Sequence, residues 1–336
     1  RELTQKAIEL DDSLLIANNQ LGWYYLKIDE YDKGFDNYKK TLDQSKKAGN
    51  KQVTADSLLG IGRYYAWIGE YDKEIDYITR SLKLYEELDD KKGVAKCLSD
   101  IGKHEKALNI YKEIDYKRGI EQEIESIGNN YLNNGDYDTA LDYFTRSNII
   151  KEEMSYRRGT GRGNFFVGRV YEYKGDLDTA LEYFTRSLSI RKEIGNKAGV
   201  GGSFFDVGRI FFFRGSYIKA KEYFEKSVKQ YTEIGYQKYR FLNVIIFLFR
   251  TYKELGITYD DKEIQSLIKE RHNRTKTRLY WVYNYHLYQL LEDTSYLETA
   301  YNKVQELADN LEPCVAAKFL GYPIPKVIGE EWEKVK

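Results

Sequence analysis

Apolar and polar positions alternate along most of this chain with the period of an α-helix. Between Leu177 and Leu188 the apolar residues follow one another at steps of three and four, which places them on one face of a helix. A second segment with the same spacing precedes it, and a glycine followed by an acidic residue, Gly175-Asp176, separates the two. This pattern predicts pairs of antiparallel helices joined by short glycine turns, and therefore an all-α fold.

The helix pairs recur at a fixed interval. Val167-Gly168 and Val207-Gly208 are 40 residues apart, and so are Ile61-Gly62 and Ile101-Gly102. Each later copy continues with an aromatic residue, a turn glycine, an alanine, an aromatic pair and a serine. The turn glycines are Gly135, Gly175 and Gly215, and the alanines are Ala140, Ala180 and Ala220. A repeat of this length predicts a solenoid, in which each hairpin buries its apolar face against its neighbours.

Glycines inside the predicted helices need a compensating interaction. A glycine in a helix interior costs about 1 kcal/mol relative to alanine, yet Gly168 and Gly208 recur in the middle of such segments. We therefore expect two backbones to approach closely at these positions. The small residues at Ala180 and Ala220 are expected to face the glycines, while the bulky rings fill the gaps between successive pairs.

These motifs resemble the tetratricopeptide repeat family, whose pattern is Leu-Gly, a tyrosine, a turn glycine, an alanine, an aromatic and a small residue. The resemblance covers roughly residues 3 to 256. It implies a right-handed superhelical α-solenoid that binds proteins or peptides. The 40-residue spacing is similar to that of Pins-type adaptors and of many bacterial and archaeal signalling proteins. The segment from Phe319 to Trp332 resembles the tails of repeat proteins joined to bacterial nucleotide cyclases and kinases.

The repeat pattern also predicts the domain organisation. Residues 1–12 are expected to be the remnant second helix of a preceding repeat, which predicts a further domain upstream. Residues 13–258 form the repeat array, and residues 259–336 a C-terminal helical cap. Gly102 and Gly128 are only 26 residues apart, so we expect a shortened hairpin at about 91–118, with some seven residues missing from each helix.

Charge and cysteine content narrow the function classes. The chain has 53 Lys and Arg residues and 53 Asp and Glu residues, for a formal net charge of zero. This balance argues against a protein whose whole surface binds nucleic acid or an anionic membrane. Its two cysteines are Cys97 and Cys314, far apart in sequence, so a disulfide framework is not expected. We therefore expect a cytoplasmic protein without nucleic-acid or membrane partners.

Motifs for catalysis are not evident. The three histidines, His104, His272 and His286, do not lie at metal-ligand spacing from other ligand residues. The sequence contains neither a phosphate-binding glycine loop in a strand–loop–helix context nor a serine nucleophile elbow. We expect a non-enzymatic protein without a cofactor or a metal.

One set of residues forms a candidate peptide site. The residue after each motif glycine is expected to point into the concave groove, and most of these residues are basic. Further aromatic residues and one more arginine lie near them on the same predicted helices. The set is Trp23, Arg63, Lys103, Asn129, Arg162, Phe165, Arg169, Tyr173, Phe205, Arg209, Phe213 and Arg250.

We call the basic members the arginine ladder, and two interpretations of it remain open. It either binds an acidic, extended segment of a partner protein, or its arginines pair internally with residues such as Glu172 or Asp206. The functional prediction is a protein- or peptide-binding scaffold that serves as the regulatory or sensor arm of a larger signalling protein. Two alternatives are a regulatory module of a cyclase or kinase with a small-molecule pocket, and a structural hub that assembles with itself.

Overall fold

The protein was analysed as a computed structural model, which describes the backbone of residues 2–27, 30–275 and 281–336. It describes the side chains of residues 14–27, 30–272 and 281–336. Throughout these ranges the regular elements are helices, in agreement with the all-α prediction. By contact density the chain divides into an N-terminal unit, residues 1–123, and a C-terminal unit, residues 124–336.

Consecutive helical hairpins form the N-terminal unit, and α7 continues into the C-terminal unit. The helices are α1 Glu2–Lys27, α2 Tyr31–Ala48, α3 Lys51–Ile68, α4 Tyr71–Glu87, α5 Lys91–Asp100, α6 His104–Glu113 and α7 Lys117–Asn134.

The C-terminal unit contains the remaining helices and one 3-10 turn, Lys238–Phe241. The helices are α8 Tyr137–Glu153, α9 Arg157–Lys174, α10 Leu177–Glu193, α11 Lys197–Phe213, α12 Tyr217–Glu233, α13 Leu242–Glu254, α14 Asp261–Thr275, α15 Trp281–Leu291, α16 Thr294–Asp309, α17 Pro313–Gly321 and α18 Pro323–Val335.

The hairpin turns follow directly from the local sequence. Gly175 ends α9 with φ of 88°, a left-handed conformation that costs glycine nothing. Asp176 then caps α10, since its side chain accepts a hydrogen bond from the Thr179 backbone N–H at 3.1 Å. The predicted turn glycines Gly135 and Gly215 also have positive φ angles, of 91° and 69°.

Close packing explains the glycine in the middle of α9. A Cβ atom added at Gly168 would lie 2.8 Å from the ring of Phe184 on α10, a residue that is fully buried. The atoms nearest to such a Cβ belong to a side chain, whereas two closely approaching backbones were expected. The partner of the glycine is the phenylalanine ring, whereas Ala180 was expected there. Ala180 is itself fully buried in the cluster that contains Phe184.

The hairpin of α5 and α6 is short, with ten residues in each helix, against 17 or 18 in α3 and α4. This is the length difference that the 26-residue spacing predicted. The assumed register was wrong, however. Gly102 has φ of 76° and lies in the turn between the two helices, so it is not a mid-helix glycine. Lys103 is consequently the N-cap residue of α6 and does not project from a first helix.

The first helix differs from the expected arrangement. Residues 1–12 were expected to form a separate second helix, whereas α1 runs without a break from Glu2 to Lys27. The residues around Asp12, where the break was expected, contain neither glycine nor proline. Without a glycine or a proline to break it, the helix continues.

Within residues 259–336, helices α15 to α18 pack into the core of the C-terminal unit, beyond the role of a cap on the last hairpin. Phe319 of α17 is fully buried beside Gly135, where an added Cβ atom would lie 2.5 Å from its ring. Lys318 forms an ion pair with Asp138 of α8 at 3.1 Å. One buried cluster joins residues of α7 to α9 with residues of α15 to α18. The C-terminal helices therefore return to the first hairpins of their own unit.

Candidate functional site

The central rung of the arginine ladder is buried and paired. Nη2 of Arg209 lies 2.9 Å from Oε2 of Glu172 and 2.9 Å from Oδ1 of Asp206, and only 4% of Arg209 is exposed. The expectation that Arg209 faces an open groove is therefore wrong. The sequence places Asp206 one helical turn before Arg209, and the hairpin repeat brings Glu172 beside them. This matches the internal-pairing interpretation.

Burial dominates the electrostatics of this ion-paired cluster. It raises the pKa of Glu172 to about 7, an effect that Asp206 strengthens and that Arg209 and Arg169 oppose. Burial also raises the pKa of Asp206, against the charges of Arg209, Arg191 and Arg169. Two carboxyl groups therefore share a desolvated site with one fully buried guanidinium, so the cluster is sensitive to the loss of any one charge.

Arg169 and its neighbours also make internal contacts. Its Nη2 donates a hydrogen bond to the Tyr173 hydroxyl, and its guanidinium lies 5.6 Å from the centre of the Phe165 ring. Tyr173 is buried, and its ring centre lies 5.4 Å from that of Tyr137, with the two rings tilted by 37°. Phe165 is partly buried, and the Arg191 guanidinium also lies over its ring, 5.3 Å from the ring centre.

Helix α15 packs over several of the predicted groove residues of the C-terminal unit. Its Trp281, Val282 and Tyr285 belong to the same buried cluster as Tyr173. Burial raises the pKa of Tyr283, and the charges of Arg209 and Arg169 act against that rise, so the phenol lies close to both. The groove that the sequence assigned to a peptide is therefore filled here by a helix of the same chain.

Two further predicted groove residues, Phe213 of α11 and Arg250 of α13, contact His286 of the same helix. Nη1 of Arg250 lies 2.5 Å from Nδ1 of His286, and Phe213 lies 6.1 Å from the His286 ring. Phe205 is buried, 5.6 Å from the ring of Phe247. Burial, followed by the charges of Arg250 and Arg209, lowers the pKa of His286 well below its usual value, so the imidazole is neutral near pH 7.

Arg162 and Asn129 lie at the start of the C-terminal unit and contact Glu125. Nη2 of Arg162 lies 2.8 Å from Oε1 of Glu125. The other carboxylate oxygen of Glu125 pairs with the buried Lys151. The Asn129 side chain donates to the Glu125 backbone carbonyl at 3.0 Å. Arg162 remains largely exposed, so it is the most accessible ladder residue of this unit.

The N-terminal unit carries an open aromatic surface around Trp23. We call it the tryptophan patch, and it consists of Trp23, Lys27, Tyr31, Arg63 and Trp67. Trp23 and Trp67 are 38% and 40% exposed, and the Lys27 ammonium lies 4.3 Å and 5.9 Å from the centres of their rings. The Arg63 guanidinium lies 5.3 Å from the Trp23 ring, and its Nε pairs with Asp100 at 2.6 Å.

Sequence reasoning identified Trp23 and Arg63 but missed Lys27, Tyr31 and Trp67. Lys27 lies four residues after Trp23, which is one turn along the same helix face, so the spacing alone contained that signal. Trp67 likewise lies four residues after Arg63. Both pairs were overlooked because only the residue after each motif glycine was considered.

A cleft of about 820 Å³ lies in the C-terminal unit. Its lining residues come from the end of α7 and from α14, α15 and α16. They are Asn133, Asn134, Ile268, Arg271, His272, Trp281, Asn284, Tyr296, Thr299, Asn302, Lys303, Glu306 and Leu307. The set is rich in asparagine and contains none of the predicted groove residues.

The described part of the chain shows neither a metal-binding cluster nor a membrane-spanning helix. It contains no group of three or more His, Cys, Asp or Glu residues arranged to hold a metal ion. None of its helices combines the length and the apolar character that crossing a membrane requires.

Comparison with known families and structures agrees with this architecture. The tetratricopeptide repeat model matches residues 12–87 and 160–233. Curated protein sequences give no significant match. Among solved structures, the apo form of RapI is 13% identical, with a TM-score of 0.53, and the match covers 96% of this chain and 99% of RapI.

Two further structures share the fold. The Rap conjugation gene regulator of plasmid pLS20, solved in complex with the Phr* peptide, is 14% identical, with a TM-score of 0.54 and 96% coverage of both chains. A signal transduction ATPase with numerous domains and a tetratricopeptide repeat sensor, from Pyrococcus horikoshii, is 16% identical, with a TM-score of 0.53. That match covers 96% of this chain and 50% of the ATPase.

Proposed function

Since this chain is built from tetratricopeptide repeats, matched over residues 12–87 and 160–233, we propose that it is a protein- or peptide-binding scaffold whose binding surface is the tryptophan patch. The observation that carries this proposal is the exposure of Trp23 and Trp67 on either side of Lys27. Tryptophan, tyrosine and arginine are the residues that most often dominate binding energy at protein interfaces. The patch contains all three types beside one lysine.

The patch favours an acidic, extended partner segment. Lys27 and Arg63 bring positive charge to the faces of the Trp23 and Trp67 rings. A partner carboxylate that reaches Lys27 would form a charge-assisted hydrogen bond, while an adjacent apolar side chain would pack on an indole ring. We assign the carboxylate contact to Lys27, whose ammonium lies over both indole rings, and the packing contacts to the two rings.

The similar structures support this class of function. The plasmid pLS20 regulator shares the fold and was solved with a bound peptide. The Pyrococcus horikoshii ATPase shares the fold and carries a tetratricopeptide repeat sensor as part of a longer chain. We propose by analogy that this chain is likewise a regulatory or sensor arm of a signalling protein and that it does not catalyse a reaction itself.

A peptide selection tests the proposal. A phage-displayed library of random peptides is selected on the full chain, and the recovered peptides are titrated by fluorescence anisotropy. We expect acidic and aromatic or aliphatic residues to be enriched. Lys27→Glu and Trp67→Ala should each weaken binding at least about tenfold, which corresponds to about 1.4 kcal/mol.

Matched variants in the C-terminal unit serve as controls. Lys229→Glu changes another exposed lysine, and Trp332→Ala removes a tryptophan that stacks on Tyr301 at 5.2 Å. Both should bind the selected peptides as the wild type does. Recovery of only basic peptides, or equal binding by the patch variants and the controls, would refute the tryptophan patch as the binding surface.

A second candidate function is a small-molecule-responsive module, and the cleft beside α16 is the observation that favours it. Its volume falls within the range of small-ligand sites, which is about 300–1,000 Å³.

A further inference from the structure

The short hairpin of α5 and α6 leaves part of the α3–α4 hairpin uncovered. Helix α5 begins 40 residues after α3 (91 − 51), whereas α6 ends only 26 residues after α4 (113 − 87). The 14 missing residues (40 − 26) therefore come from the turn end of the short hairpin. At this end of α4, Tyr71 and Ile75 are 67% and 55% exposed, and Asp72 beside them is exposed too. We call Tyr71, Asp72 and Ile75 the α4 ledge.

The equivalent residues of the next full-length hairpin are covered. Tyr137, Asp138 and Leu141 begin α8 in the same order and spacing. Tyr137 is only 2% exposed, and its ring centre lies 5.4 Å from that of Tyr173 at the end of α9. Asp138 pairs with Lys174, the last residue of α9, at 2.6 Å. The end of the following helix thus supplies both an aromatic ring and a cation to this surface.

The hairpin of α9 and α10 repeats this arrangement. Leu177 and Leu181 of α10 pack against a buried cluster that includes Ile210 of α11. Asp178 of α10 pairs with Arg214, which directly follows α11. Two copies of the surface in this chain are therefore covered by a helix end that combines apolar residues with a basic one.

The α4 ledge has the same chemistry but lacks the covering cation. Asp72 occupies the position of Asp138 and Asp178, yet it forms neither an ion pair nor a side-chain hydrogen bond within the described part of the chain. Glu74 also has no ion pair with any residue that the structure describes. Burial, followed by the charge of Asp100, raises the pKa of Glu74. The ledge is thus both apolar and acidic, so its charge is complementary to a basic partner.

We propose that the α4 ledge is a second protein-binding surface, and that its partner is the end of a basic, amphipathic helix of another protein. Apolar residues of that helix pack on Tyr71 and Ile75, and a lysine or arginine in its last turn pairs with Asp72. Helix α5 has ten residues against 18 in α3, so the partner contributes about eight residues, or about 12 Å of helix. The ledge shares no residue with the tryptophan patch, and its partner has the opposite charge.

The probe is a copy of the helix end that covers the equivalent surface on α8. It is a fluorescein-labelled peptide with the sequence of residues 166–174, held helical by a hydrocarbon staple that replaces Gly168 and Glu172. In the folded chain these two positions contact α10 and α11, so the staple lies away from the face that meets α8. A comparison probe carries Lys174→Glu.

Fluorescence anisotropy with the full chain measures the dissociation constants. Asp72→Lys and Tyr71→Ala should each weaken binding of the first probe at least about tenfold. Asp72→Lys should also bind the Lys174→Glu probe more tightly than the wild type does, a charge exchange that misfolding would not produce. The matched control, Asp76→Lys, changes an exposed aspartate one turn further along α4 that pairs with Arg80, and it should bind the first probe as the wild type does.

Three results would overturn this proposal. They are the absence of saturable binding to the wild type up to about 1 mM protein, equal binding by Asp72→Lys and Asp76→Lys, and loss of binding in Lys27→Glu, which would place the probe on the tryptophan patch. A wild-type dimer in light scattering that Asp72→Lys dissociates would assign the ledge to a second copy of this chain, against a partner helix. None of these results alters binding of acidic peptides to the tryptophan patch, so the two proposals fail separately.

Discussion

Arg209 and Glu172 form a buried ion pair at the place where the sequence predicted an open binding groove. Nη2 of Arg209 lies 2.9 Å from Oε2 of Glu172, and the same nitrogen lies 2.9 Å from Oδ1 of Asp206. All three residues are buried. Removing one partner of a buried ion pair leaves an uncompensated charge in the core, which destabilises the fold. Arg209 therefore contributes to the stability of the folded protein.

Removing the cation of this cluster should therefore destabilise the protein strongly. Arg209→Met leaves two buried carboxylates without their partner, and we expect the free energy of unfolding to fall by about 3–5 kcal/mol. Chemical denaturation followed by circular dichroism measures this. Arg186→Met removes an exposed arginine that pairs with Glu182 on the same helix, and it should cost less than about 1 kcal/mol. Equal losses in the two variants would show that the Arg209 cluster is not desolvated.

The raised pKa of Glu172 predicts a pH dependence of stability. The pKa of Glu172 is about 7 in the folded chain, against its usual value of 4.5. The folded state thus binds more protons than the unfolded state between these values, so this residue's contribution to stability is present below about pH 4.5 and is lost as the pH rises through about 7. Glu172→Gln removes this titration.

The difference in melting temperature between wild type and Glu172→Gln should shift in favour of the wild type as the pH falls from about 8 to about 5. Other carboxyl groups titrate in both proteins, so their effects cancel in the difference. A difference that stays constant over this range would mean that Glu172 has an ordinary pKa.

The third prediction compares the effect on stability of replacing a tightly packed glycine with that of replacing an open one. A Cβ atom at Gly93 would lie 2.2 Å from Cδ1 of Tyr85, whose ring is fully buried and whose hydroxyl donates to Asp56 at 2.6 Å. The ring is held in place, so Gly93→Ala should cost about 1–3 kcal/mol. Gly329 in α18 has no atom within 4 Å of such a Cβ, so Gly329→Ala should stabilise the helix by up to about 1 kcal/mol.

Thermal unfolding of the two glycine variants shows the sign of each change. Stabilisation by Gly93→Ala would indicate that Tyr85 moves freely, contrary to the packing described.

Phe319 tests whether the C-terminal helices belong to the core. Its side chain is fully buried beside Tyr137, at 6.1 Å between ring centres, and beside Trp281 at 6.3 Å. We expect Phe319→Ala to cost about 3–5 kcal/mol and to speed amide hydrogen exchange in α8 and α9. Val335→Ala, an exposed change in α18, should leave exchange in those helices unchanged. Unaltered exchange in Phe319→Ala would indicate a detachable C-terminal segment.

The sequence was sufficient to predict the hairpins because their signals are local. The glycine turns, the Asp176 cap and the apolar spacing each act within a few residues, so a single repeat already contains them. The short hairpin followed from spacing in the same way. The register of Gly102 did not, because a turn glycine and a mid-helix glycine look alike when only one dipeptide is compared.

The site was harder to predict because it depends on contacts between distant segments. The position of Arg169 and Arg209 on the first helix of each pair was deduced from the repeat, but their exposure depends on α15, more than 70 residues further along the chain. Aromatic rings on most faces of residues 281–291 are typical of a covered helix, but this pattern does not show which surface covers it.

The most direct measurement of the central claim is hydrogen–deuterium exchange with and without a selected acidic peptide. If the tryptophan patch binds the partner, protection should appear in α1 and α3, around Trp23 and Trp67, and should disappear in Lys27→Glu. Helices α9 and α11 should exchange at the same rate with and without peptide, because α15 already covers Tyr173 and its neighbours. Protection confined to α9 and α11, with none in α1 or α3, would contradict this account and would favour the arginine ladder as the peptide site.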